Sequence, residues 1–216
     1  MKKQKKTGLL DNPYIDIILI IIIPVIVYFQ VLSFGFTNSD DKLIISDNQS
    51  FFADISNVGK AFTKDAFITN SYELYRPLQT VTFLIDTMIG NGEVKYYHIT
   101  NLLLHILVCL SIFYLLLKFG FPRIQSLLLV LIFSSAPLFS HVVAWIPARG
   151  ELLLMLFGIN SLNFFIHYLE SKKNIYFLLN ILFFLLALFS KESAIIFVLF
   201  YIFYYIFIYN NNLNMA

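Results

Sequence analysis

Apolar residues run almost unbroken over residues 15–32, 97–117, 124–143, 152–168, 175–189 and 194–209. Runs of this length match the roughly 20 residues that carry an α-helix across a hydrocarbon core. The last two are a little short, a deficit that tilt or snorkelling flanks absorb. The pattern predicts an all-α fold, a polytopic membrane helix bundle of about six spans. Four of the connections are short. The fifth, residues 37–97, is a mixed-polarity stretch of about 60 residues, far longer than the usual connection in a compact domain. Connections of that length carry function more often than they idle.

Local signals divide the long connection further. Ile55, Val58, Phe62 and Ala66 recur at helical spacing among Lys60, Lys64 and Asp65, which predicts a short amphipathic helix in the membrane interface. Pro77 is suited to the first position of a helix, with Arg76 at its mouth, and Gly90 and Gly92 are suited to end it. That helix, carrying Gln79 and Asp86, is too short and too polar to span, and it reads as juxtamembrane. Elsewhere Pro24 predicts a kink in the first span, and Ser134 to Pro137 interrupt the third. Residues 144–151 read as a short loop with Trp145, Arg149 and Glu151. His98, Asn101 and His105 share one helix face, as do Asn160, Asn163 and His167. Packing across helix interfaces is the leading reading of both stripes, with His98 set apart by its place near the surface.

Composition agrees with the membrane reading. The chain is 59% hydrophobic and only 13% charged, against about a quarter charged in soluble domains. A net charge of +2 gives no reason to expect nucleic acid as a partner. Cys109 is the single cysteine, so there is no disulfide framework or thiol metal site. Lys2, Lys3, Lys5 and Lys6 precede a first run too long for a signal peptide. Lys118, Arg123, Lys172 and Lys173 fall in the turns that share their side. The positive-inside rule then gives a multi-pass membrane protein with a cytoplasmic N-terminus, and a bacterial plasma membrane is the expected location. In that orientation residues 37–97 are extracytoplasmic. Asp40, Asp41, Arg76, Arg149, Glu151, Lys191 and Glu192 then meet on the outer face, with His98 and His141 near them.

The pair Asp40-Asp41 suits general-base work or ligation of a divalent cation, although adjacent acids at a loop start are often only solvated. Arg76, Arg149 and Lys191 could each be an interfacial anchor. Gathered on the face that is normally poor in positive charge, they point to an anion such as a lipid phosphate. A transporter fits less well, because no charge sits mid-span and no inverted repeat is visible.

Five segments carry a resemblance: "NSDDKLI", "LYRPLQTVTFLID", "YYHITNLLLH", "APLFSHVVAWIPARGELL" and "LFSKESAI". In this order and spacing the chain resembles the polytopic O-mannosyltransferase-like proteins of glycosyltransferase superfamily C. The likeness is to the N-terminal part of the transmembrane and tetratricopeptide-repeat mannosyltransferases and their bacterial relatives. It implies a polyprenyl-phosphate sugar donor, an acceptor protein or glycan with a free hydroxyl, an outer-face site and inversion at the sugar carbon. Carried over, Asp40 and Asp41 are the catalytic acids. Arg76, Arg149 and Lys191 hold the donor, and His98, His141, Glu151 and Glu192 complete the substrate site. Ala136, Phe139 and His141 depart from the family pattern, which has histidine, histidine and an acid there. The rival expectation is a non-catalytic scaffold, or a lipid-phosphate-binding half completed by a second polypeptide.

Overall fold

A computed structural model of the chain describes residues 13–69 and 74–210. The N-terminal lysines and the last six residues lie outside the described residues. Ten α-helices occur among them: α1 Pro13–Tyr28, α2 Asp40–Ile44, α3 Gln49–Phe52, α4 Pro77–Gly90, α5 Val94–Lys118, α6 Arg123–Ser135, α7 Ser140–Ala144, α8 Arg149–Ser171, α9 Asn174–Ser190 and α10 Phe197–Phe203. Helical turns extend α1 to Ser33 and lead into α8 from Ile146. The final helix begins at Glu192, passes through α10 and closes with a π-helical turn over Tyr204–Tyr209.

Four of these helices are long and apolar enough to cross a membrane: Tyr14–Ser33, Val94–Lys118, Ile146–Ser171 and Glu192–Tyr209. A fifth span forms if α6 and the segment Pro137–Ala144 are taken together across their 53° bend. The bend falls where Pro137 removes a backbone donor and pushes Ala136 into an extended conformation. The sixth expected span is α9, an apolar helix of only 17 residues. The bundle is thus all-α and polytopic. Its span count is four or five by length, with the short α9 beside them.

The long helices alternate in direction, so α5 and α8 start at the end of the bundle where α1, α9 and the 137–144 segment finish. We call this the loop end, because residues 34–69 and 74–93 lie over it. Helix α8 is the central strut, packed along α9 and α5, while α1 packs on α5 and α6. The small residues Gly158 and Ala187 let aromatic rings approach; a Cβ at Gly158 would overlap the Phe197 ring. Many large apolar side chains remain outward-facing, including Ile22, Ile26, Leu128, Ile132, Leu178 and Leu199, as lipid-facing surface requires.

Within the loop, Pro77 opens α4 with Arg76 in the N-cap position, and Asn91 closes it in the left-handed conformation, followed by Gly92 at φ 79°. Helix α4 packs on α5, α8 and α9. The expected amphipathic helix through Ile55 and Ala66 is not formed. Two separate 3-10 turns, Ile55–Val58 and Lys60–Phe62, replace it. Asp54 caps the first by accepting from Ser56 N–H at 2.9 Å, and the Ser56 hydroxyl together with that N–H holds its carboxyl below the usual range. Gly59 separates the turns, and Ile55 and Phe62 stay exposed while Ala61 and Ala66 go inside. Capping chemistry has here overridden a weak periodicity.

The expected loop over residues 144–151 is likewise largely helical, with Arg149 as the first residue of α8. The polar stripes serve packing: Asn101 donates to the carbonyls of Trp145 and Ile146, His105 meets Ser134 O at 3.1 Å, and Asn160 donates to Ser111 Oγ at 2.8 Å. At the opposite end of the bundle, Lys118 pairs with Glu170 and Tyr114 bonds His167. Near that end Arg123 pairs with Asp16, fastening the start of α1 to α6.

Candidate active site

The residues singled out from the sequence gather at the loop end in three groups. The first is built around Arg149, whose side chain is completely buried. Its Nε donates to Asn101 Oδ1 at 2.7 Å and its Nη2 to Tyr97 O at 2.8 Å. Nη1 lies 2.5 Å from Asp86 Oδ2 and 3.3 Å from Thr82 Oγ1. The guanidinium also stacks 4.5 Å over the Phe83 ring. Asp86 is held in turn by Thr100, whose hydroxyl donates at 2.6 Å. Burial pushes the Asp86 carboxyl upward in pKa, while the Arg149 charge and the Thr100 hydroxyl pull it back.

This corrects the expected role of Arg149. It was placed among the cations that face a phosphate, but its fork is consumed inside the protein, joining α8 to α4 and α5. The signal for this was present in the sequence. Asp86 is the one charged residue on α4, and a buried acid needs a cation.

The second group lies where α4, α8 and the α9 terminus converge. Arg76 Nη2 is 3.3 Å from Glu192 Oε1. Lys191 Nζ is 3.0 Å from Glu151 Oε1, and His141 Nε2 is 3.7 Å from Glu151 Oε2. Gly150 allows the convergence: a Cβ there would come within 2.6 Å of Gln79 Oε1 and 3.2 Å of the Ser190 carbonyl, and 3.7 Å of Arg76 Cδ. Two polar atoms in this knot are buried without a partner, Arg76 Nε and Gln79 Oε1. Sequence reasoning named the charged members of the group and missed Gln79 and Gly150, which shape it.

The third group is Asp41 with His98. Asp41 Oδ2 accepts from Thr37 N–H at 2.8 Å and from the Thr37 hydroxyl at 2.7 Å. Its other oxygen, Oδ1, is buried and unpartnered, and the buried His98 ring beside it has the Phe34 backbone within hydrogen-bonding reach. The Asp41 charge reaches the His98 imidazole, whose ring packs edge-on against Phe34. Asp40 is only half-buried beside it. Helix α2, which carries both acids, packs against the Ile146–Ala148 turn that leads into Arg149. Among the described residues, no group of three or more His, Cys, Asp or Glu side chains is arranged to hold a metal ion.

One turn below the second group an apolar groove of about 760 Å³ opens between α5, α8 and the final helix. Leu154 and Met155 form its upper wall on α8, about one turn after Glu151, and Ile196 and Phe197 form the other, about one turn after Glu192. Leu162 and Tyr204 lie at its lower end.

Charged donors above an apolar groove fit a ligand with an anionic head and a long apolar tail. Over 167 residues, 75% of the chain, it is 26% identical to the protein O-mannosyl-transferase TMTC3 of Mus musculus. The Homo sapiens protein of that name is 27% identical over 162 residues, 73% of the chain. A Caenorhabditis elegans protein O-mannosyl-transferase is 26% identical over 190 residues, 83% of the chain. The chain is similar to protein O-mannosyl-transferases. It spans 18%, 17% and 26% of the lengths of these three relatives. No family model matches the chain, and no solved structure matches it.

Proposed function

We propose that the chain is the N-terminal part of a membrane-embedded glycosyltransferase domain, and that it transfers a sugar, mannose by likeness to its relatives, from a polyprenyl-phosphate donor to a protein hydroxyl. The observation that carries the reading is the stacking of Arg76, Lys191 and their acidic partners directly above the apolar groove. The donor phosphate would sit at Arg76 and Lys191, with its polyprenyl chain in the groove below. Arg76 has an unpartnered Nε and a long contact to Glu192, so it has donors to offer an oxyanion. The loop end is the extracytoplasmic face in this reading.

Asp41 is the base. Thr37 fixes one carboxylate oxygen, and Oδ1 is left to take the proton of the acceptor hydroxyl. The acceptor oxygen bonds to the sugar carbon as the bond from that carbon to the phosphate oxygen breaks. Polyprenyl phosphate leaves with its charge held by Arg76 and Lys191. Attack from the side opposite the phosphate inverts the sugar carbon, as the resemblance implies. His98, buried beside Asp41, would bind the acceptor. Asp86 and Arg149 position the helices that carry these groups and do not touch substrate. A divalent cation at Asp40 and Asp41 is no part of this mechanism.

Binding of polyprenyl phosphate to the chain in nanodiscs tests the phosphate site. Arg76→Ala and Lys191→Ala are each expected to weaken binding about tenfold or more, since one charge-assisted contact contributes roughly 1.5–3 kcal/mol. Arg76→Lys should restore only part of the loss, because a point charge replaces a planar fork. Unchanged binding in the double alanine variant would reduce both residues to interfacial anchors.

A further inference from the structure

A second recess lies at the opposite end of α4. It has a volume of about 520 Å³ and is bounded by Gln49, Ser50, Thr87, Met88, Asn91 and Gly92, where α3 packs beside the C-terminal end of α4. Three features separate it from the charged group. Its lining carries no charged side chain and no aromatic ring. Gln49, Ser50 and Asn91 are all exposed, so their polar side chains are open to solvent. The backbone around it is also set: Asn91 and Gly92 both have positive φ, and Gln49 Nε2 stands 3.5 Å from where a Gly92 Cβ would be.

We propose that this recess is an acceptor subsite that holds an extended stretch of polypeptide with neutral side chains; this rests on the transferase reading above. A carboxamide offers the same donor and acceptor as a peptide group, and Gln49 and Asn91 present two of them across the recess. Met88 provides a compliant apolar wall that accepts varied side chains. A bound oligosaccharide fits less well, because the lining offers no aromatic face for a sugar ring to pack on. The geometry also sets a length. Helix α4 has 14 residues, so its rise of about 1.5 Å per residue puts Asn91 roughly 20 Å from Arg76. An extended peptide covers that distance in about six residues. About six extended residues would therefore reach from the recess to the donor phosphate at Arg76.

Peptide binding to the whole chain in nanodiscs tests this, with a fluorescent twelve-residue peptide of Ser, Thr, Ala and Gln as probe. Gln49→Ala combined with Asn91→Gly removes both carboxamides and keeps the left-handed backbone at 91. Peptide affinity should fall about tenfold or more, as expected for two lost hydrogen bonds, with polyprenyl phosphate binding unchanged. Shortening the peptide to five residues should weaken wild-type binding by a similar factor and leave the double variant unaffected. Wild-type affinity in the double variant would overturn the subsite, as would absence of peptide binding to the wild-type chain. Displacement of the peptide by a neutral oligosaccharide, lost in the same variant, would overturn it in favour of a glycan site. Arg76→Ala serves as the reciprocal control. If it fails to change polyprenyl phosphate binding while the recess variants still lose peptide, the donor reading fails and the subsite stands.

Discussion

Arg149→Met is expected to destabilise the protein by about 3–5 kcal/mol, the cost of leaving one member of a buried ion pair uncompensated. Asp86 would remain inside with only the Thr100 hydroxyl, and the Asn101 and Tyr97 oxygens would lose their donor. Cys109 gives a direct readout, since it is the single cysteine of the chain and is buried. Its reaction with a thiol dye on heating reports loss of the bundle. The double variant Asp86→Asn, Arg149→Met should recover much of the stability, because it removes both charges together. Equal melting of the wild-type and Arg149→Met chains would show that the pair does not hold α4, α5 and α8 together.

Asp41→Asn is expected to lower sugar transfer by about 100- to 10,000-fold, the usual contribution of a general base. Asp40→Asn should retain most of the rate. The assay is mannose transfer from polyprenyl-phosphate mannose to a Ser/Thr peptide, in membranes containing the chain and whatever polypeptide completes its activity. The carboxamide keeps a carbonyl oxygen for Thr37 but cannot accept the acceptor proton, so polyprenyl phosphate binding and the Cys109 melting profile should both stay as in the wild type. A normal transfer rate in Asp41→Asn would discard the base, whatever the fate of the phosphate site.

The spans were legible because hydrocarbon imposes one strong rule, a long apolar helix, and residues 15–32 and 97–117 obey it with few polar exceptions. Pro77, Gly92 and Pro137 marked helix boundaries for equally local reasons, a missing donor or a left-handed turn, whereas Gly90, also expected to end α4, is its last helical residue and Asn91 takes the left-handed cap. The 55–66 segment was misread because four apolar residues at helical spacing compete poorly with an Asp cap and a glycine. Arg149 was misread for a different reason. Sequence places a cation near a surface but cannot say whether its fork turns toward solvent or toward Asp86 on another helix. The recess by Gln49 and Asn91 was invisible for the same reason: its walls come from segments about 40 residues apart, neither of which carries a motif.

Helix α9 has a consequence for the lipid around it. Its 17 residues rise about 26 Å, some 4 Å less than a typical hydrocarbon core. Taken as a span, α9 would draw the bilayer surface down on the flank where Lys191 and Glu192 lie. In the proposed reading, a dimple there would bring phosphate headgroups toward Arg76 and shorten the path of a lipid-linked donor. Bilayer thickness would then become a control on the protein. Vesicles with longer acyl chains should slow transfer without altering any residue, and thinner ones should favour it.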